Sequence, residues 1–148
     1  MKGLMKEVKE TMRAAIFDVF EKMFYVFLES VGDECSDYDM GAAIKFSGAQ
    51  KGELKILASE GLAKNMVQNL LGLEEKEITE RDIEDCIKEA ANMICGNYLG
   101  RLDQTKVFDL TIPSFLRRPG EAVEGSNVCT LCFDSDGEMF GAVLTLSN

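Results

Sequence analysis

The sequence predicts an α+β fold, with long helices packed on a largely antiparallel β-sheet. Three observations carry that prediction. Two long segments, residues 4–31 and 79–100, place apolar side chains at helical spacing. Five short segments rich in β-branched and aromatic residues are set off by glycine, proline and aspartate. Finally, the elements run helix, two strands, helix, helix, three strands, without the strand–helix alternation of a parallel sheet. A chain of 148 residues suits one domain, 1–148, which can bury a core without metal or disulfides.

Residues 4–31 read as one helix. Val8, Met12, Ile16, Val19, Phe20, Met23 and Phe27 recur at i+3 and i+4, and Phe24 and Leu28 widen the stripe. So broad an apolar face calls for burial against a sheet or a second subunit. A polar, turn-like stretch follows at 32–37. Segments 40–47 and 53–58 then read as strands around a turn at 48–52. Ser59 is placed to N-cap a short helix carrying Leu62, Met66, Leu70 and Leu71, and Gly72 to stop it. The acidic run 74–77 reads as a solvated loop.

The segment 79–100 is the best-defined helix in the chain. Thr79 is a favourable N-cap, Glu80 and Asp82 put acidic groups in the first turn, and Gly100 stands where a terminating glycine would be expected. Ile83, Ile87, Ala90, Ala91, Ile94 and Tyr98 form one apolar stripe, which leaves Asp85, Glu89, Asn92 and Gly96 on the opposite face. A glycine inside a helix costs about 1 kcal/mol relative to alanine, so Gly96 implies some use for the missing side chain. By spacing alone, the same polar residues also make an ordinary solvated helix face. Beyond the helix, a strand is expected at 105–112, a loop holding both prolines at 113–125, and strands at 127–133 and 139–146. Asp136-Gly137 marks a hairpin between the last two.

Composition excludes several functions. Lys and Arg number 16 against 26 Asp and Glu, a formal charge of −10, which disfavours nucleic acid or an anionic membrane as partner. Asp18, Glu21 and Lys22 interrupt the first apolar segment, so it does not read as a membrane span. The five cysteines point to free thiols in a reducing, cytoplasmic setting. Cys129 and Cys132 form a C-x-x-C within an expected strand, where residues three apart face opposite ways. They are read as two unlinked thiols, with no metal and no redox role. The chain has no histidine, which removes the usual catalytic triads and general bases.

Glu89-Ala-Ala-Asn92-Met-Ile-Cys-Gly96-Asn97 resembles the E-x-x-N signature of the CheC/CheX/FliY chemotaxis phosphatases. Asp85 fills the acidic or serine position that this family places one turn before the glutamate, and Pro113 resembles the proline that follows a strand about twenty residues after the asparagine. With one E-x-x-N, the chain is most similar to the single-site CheX branch. The resemblance implies a phosphatase acting on a phosphorylated CheY-like response regulator, and a homodimer. The regulator would supply the aspartyl phosphate, Mg²⁺ and a lysine, so that no cofactor is expected on this chain. Asn92 would insert and position the attacking water, Glu89 would pair with the regulator's lysine, and Asp85 and Gly96 would lie in the contact. Two rivals are a noncatalytic CheC-like adaptor or flagellar-switch binding module that keeps the motif for docking, and a structural dimer with a solvated helix face.

Overall fold

The computed structural model describes residues 2–32, 38–103, 105, 107–119 and 127–147. The chain opens with α1 (Lys2–Val19), which widens into a π-helical turn at Phe20–Phe24, and then forms β1 (Glu29–Val31). Next come β2 (Met40–Ser47), β3 (Lys51–Ala58), α2 (Glu60–Leu71), a 3₁₀ turn at Glu75–Glu77 and α3 (Glu80–Leu102). β4 (Asp109–Leu110), β5 (Ser114–Arg117), β6 (Val128–Ser135) and β7 (Glu138–Ser147) complete the order.

The strands make one sheet in the order β1-β6-β7-β3-β2-β4, with β5 also on β2. Every pairing is antiparallel. On the inward face, Ile44 lies opposite Leu54, Leu54 opposite Leu144, and Leu144 opposite Cys129. All four are buried, so the period-2 pattern of the strands carries one apolar row across the sheet. α1 and α3 pack side by side and reach β6 and β2 respectively, and α2 fits beside α3. The α+β expectation therefore holds. The β6–β7 hairpin turns at Asp136 and Gly137, both at positive φ (50° and 88°), as a two-residue primed turn requires.

Three elements differ from the sequence expectation. The first helix does not run to residue 31. Tyr25 turns left-handed (φ 52°), and the N–H groups of Tyr25 and Val26 both donate to the Phe20 carbonyl. The Asn69 amide on α2 donates to the Phe24 carbonyl at 2.8 Å, which satisfies another helix-end acceptor. From Tyr25 to Leu28, exposed and buried residues alternate: Phe27 is 79% exposed, whereas Val26 and Leu28 are buried. An unbroken apolar run fits a helix or a strand equally well; here the chain leaves the helix at Tyr25, and Glu29–Val31 beyond the run pair with β6.

At the other end of the motif helix, Gly100 does not stop α3. The helix continues to Leu102, which packs on the core, and Asp103 ends it. Packing of buried Leu99 and half-buried Leu102 outweighs the weak helix propensity of one glycine. The third difference lies between 105 and 117, where a strand then a loop was expected. β4 is only two residues long, and β5 forms within the expected loop. Both pair with β2, and Pro113, which has no N–H to donate, sits at the break between them. Residue 106, the turn at 33–37 and the loop section 120–125 lie outside the described residues.

The caps of α2 and α3 match their sequences to different degrees. Thr79 Oγ1 accepts from the Asp82 N–H (3.1 Å), and an Asp82 carboxylate oxygen accepts from the Thr79 N–H (3.0 Å). Ser59 holds the N-cap position of α2, but its hydroxyl donates to Glu138, and Asp39, just before β2, accepts the Glu60 N–H instead. Gly72 stops α2 in the left-handed region (φ 67°), as expected.

The cysteines divide between faces. Cys129 points into the core opposite Leu144, while Cys132 lies opposite Gly141 on the other side of the sheet. Cys86, Cys95 and Cys129 form no disulfide. Cys132 is disulfide-bonded. This corrects the expectation of free thiols throughout: an odd count forbids complete pairing but does not forbid one pair. Burial pushes the thiols of Cys86 and Cys95 up to about 12, and the Glu89 charge adds to the effect at Cys86. Burial also raises the Tyr98 phenol, despite the hydrogen bond that it donates to Gln50 at 2.8 Å.

An alkaline transition should follow. The ordinary thiol value is 9.0, so above that pH the unfolded chain releases protons that the folded chain keeps. Stability from these groups is complete below pH 9 and declines as pH rises towards 12. Melting temperature should be flat from about pH 7 to 8 and fall above 9; a melting temperature that rises through that upper range would contradict the burial of these thiols.

Candidate functional site on α3

α3 has one face in the core and one in solvent. Ile87, Ala90, Ala91, Ile94 and Tyr98 are buried, and Ile83, nearer the helix start, is half-buried. Asp85, Glu89, Asn92 and Gly96 follow one another at steps of four, three and four along a single stripe on the outer side. The stripe is held in place from behind. Asn97 donates to an Asp18 carboxylate oxygen at 2.8 Å and accepts from Arg101 Nε at 2.7 Å, while Lys22 reaches the other Asp18 oxygen at 2.8 Å. Lys22 first, then Asn97, hold the Asp18 carboxyl below its usual value. These contacts tie α3 to α1 next to the residues that face outward.

The four site residues are not equivalent. Asp85 lies 3.8 Å from Lys88 and 3.9 Å from Arg81, long exposed pairs of small energetic value. Glu89 and Asn92 form no hydrogen bond or ion pair among the described residues. At Gly96, an added Cβ would meet nothing within 4 Å among the described residues beyond its own helical turn, so no packing contact there demands the glycine.

The structure also joins to this stripe a segment that the sequence left apart. A shallow groove of about 430 Å³ lies between α3 and the β4–β5 connection. Asp85, Lys88, Glu89 and Asn92 form one wall, and Leu110, Thr111, Ile112 and Pro113 form the other. Pro113, singled out through its resemblance to the family's proline that follows a strand after the asparagine, is thus brought to the same place. Lys88, Leu110, Thr111 and Ile112 were not expected as site residues. An exposed isoleucine in a predicted strand carries no signal of its own, because only pairing decides which way it faces.

The chemistry open to this groove is limited and specific. The Asn92 amide can donate and accept, and so can hold a water in one orientation, but it takes no proton near neutral pH. The Glu89 carboxylate can anchor a cation. Among the described residues, no group of three or more His, Cys, Asp or Glu is placed to hold a metal, and no helix is long and apolar enough to cross a membrane.

Comparison with known proteins locates this arrangement. The crystal structure of the chemotaxis protein CheX from Vibrio vulnificus superposes with a TM-score of 0.81 at 22% identity, over 95% of this chain and 97% of that one. The CheX–CheY–BeF₃–Mg²⁺ complex from Borrelia burgdorferi gives 0.75 at 19% identity, over 94% and 97%. FliY from Thermotoga maritima shares the fold more distantly, with a TM-score of 0.59 at 10% identity over 97% and 89%. No curated protein sequence matches the chain. The family model described as "Chemotaxis phosphatase CheX" matches residues 40–135, which include β2 to β6, α2, all of α3 and Pro113. With that match over more than half of its length, the chain belongs to the CheX family of chemotaxis phosphatases.

Proposed function

We propose that this chain hydrolyses the aspartyl phosphate of a CheY-like response regulator by placing Glu89 and Asn92 in the regulator's own active site. The observation that carries the proposal is the outward placement of both side chains, without partners among the described residues, on a helix whose opposite face is buried in the core. Phosphoryl transfer passes through a loose transition state, in which an in-line nucleophile matters more than a strong base. An amide that orients water is therefore sufficient on this side. The charge on the phosphoryl oxygens is borne by the regulator, through its Mg²⁺ and a lysine, and Glu89 pairs with that lysine. The phosphatase completes a site that its partner half provides, which accounts for a shallow groove with no histidine. Asp85 and Gly96 belong to the contact in this reading, and a homodimer presents two such helices.

In a second reading, favoured by the charges of Asp85, Lys88 and Glu89 on the exposed helix face, the helix docks on a partner without turnover. Mixing the chain with phosphorylated CheY-like regulators and Mg²⁺ separates the two. Accelerated loss of aspartyl phosphate supports the phosphatase, binding without acceleration supports a noncatalytic adaptor, and neither result leaves only a structural role.

A further inference from the structure

The groove beside Asn92 has two walls of opposite character. The α3 wall carries the charges of Asp85, Lys88 and Glu89, whereas the facing wall of Leu110, Thr111, Ile112 and Pro113 has none. Ile112 is 89% exposed, and Leu110 is 37% exposed. That wall is also rigid. β4 and β5 pair with β2 on either side of it, the Thr111 N–H donates to the Lys45 carbonyl, and Thr111 Oγ1 accepts from the Lys45 N–H, both at 2.9 Å. A β-branched apolar residue is thus held out in water by bonds that prevent its collapse onto the core.

We infer that Leu110 and Ile112 form an apolar docking ledge for the phosphorylated receiver domain, engaging an apolar patch beside its phosphorylation site while Glu89 and Asn92 enter that site. The inference rests on the proposed function. A folded receiver is wider than the groove, so one that brings a phosphoryl group to Asn92 must rest on the opposite wall as well. Charge on α3 then sets orientation, and desolvation of Ile112 supplies affinity, the usual division between polar rim and apolar anchor. Gly96 fits the same docking. It lies one turn beyond Asn92 on the exposed stripe, weakens its own helix, and returns no packing among the described residues, so the space above it is clearance for the receiver. A second copy of this chain is the poorer occupant of this wall, because β4 has two residues and Pro113 offers no N–H, so residues 109–113 themselves leave little edge for strand addition.

The test uses a CheY-type receiver loaded with BeF₃⁻ and Mg²⁺ for binding, and the same receiver phosphorylated for turnover. Ile112→Asp should raise Kd and KM by about 30-fold or more, the scale of an interface anchor, with kcat at saturation and the melting temperature nearly unchanged. Gly96→Ala should raise the melting temperature while weakening binding severalfold, a combination that a purely structural glycine would not give. If the wild-type chain neither binds nor dephosphorylates any such receiver, the function itself fails and the ledge fails with it. If the wild type is active but Ile112→Asp binds within twofold of it, the ledge alone is overturned. The ledge is likewise overturned if Ile112→Asp converts a dimer to monomer without changing affinity per site, since the patch would then be a self-contact.

Discussion

Replacing Asn92 by alanine should leave the affinity for a BeF₃⁻-loaded receiver close to wild type while dephosphorylation falls by about 10²-fold or more. The size of the loss follows from what the amide does. Orienting a nucleophile in line with the scissile bond can lower a barrier by several kcal/mol, and each 1.4 kcal/mol is about tenfold in rate. Asn92 faces outward and forms no bond within the described chain, so its removal exposes no buried partner and should leave the melting temperature unchanged. Glu89→Ala should behave differently, weakening binding as well as turnover, because its proposed contact is a charge pair across the interface. Glu89→Asp should also fail, because the shorter side chain misplaces the carboxylate by about 1 Å, and positioned chemistry tolerates this poorly. Steady-state dephosphorylation and a binding isotherm on each variant decide the assignment. Wild-type turnover by Asn92→Ala would remove Asn92 from the mechanism.

Phe20→Ala should have the largest effect on stability. Phe20 is fully buried where α1 widens into its π-helical turn, with its ring centroid 4.6 Å from Phe140 on β7 and 5.5 Å from Phe24. Truncating a buried phenylalanine costs about 3–5 kcal/mol through lost transfer free energy and the cavity left behind. Against the roughly 5–15 kcal/mol that stabilises an ordinary domain, that is a large share. The Phe20 carbonyl also accepts the two N–H groups that end the helix, so loosening this residue should fray the turn into β1. Denaturant titration should show the midpoint falling steeply. A loss below about 1 kcal/mol would mean that the α1–sheet contact is not part of the principal core.

The candidate site was legible in the sequence to the extent that it lies on one helix. The spacing of Ile87, Ala90, Ile94 and Tyr98 specifies a buried side, and the same periodicity sends Asp85, Glu89, Asn92 and Gly96 to the other. Thr79 and Asp82 reveal the start of α3 because capping is a bond between near neighbours. Asp136-Gly137 reveals the last hairpin for a similar local reason, the positive φ that its turn needs. Interactions closed within about four residues can be read from their own segment.

The remainder depended on partners distant in the chain. Residues 25–28 are apolar throughout, and only the pairing of the next three residues, Glu29–Val31, with β6 directs the chain to the sheet edge. Gly100 favours a helix end, but the packing of Leu99 and Leu102 carries α3 past it. Above all, no periodicity connects Ile112 to Asn92. Pairing of β4 and β5 with β2 sets Leu110 and Ile112 beside α3 and makes a groove from two segments. The amino-acid sequence by itself determined the face on which the motif lies, because helical geometry repeats within one turn. Only the tertiary structure decided what stands opposite that face, because a strand's orientation is set by the partner that it pairs with.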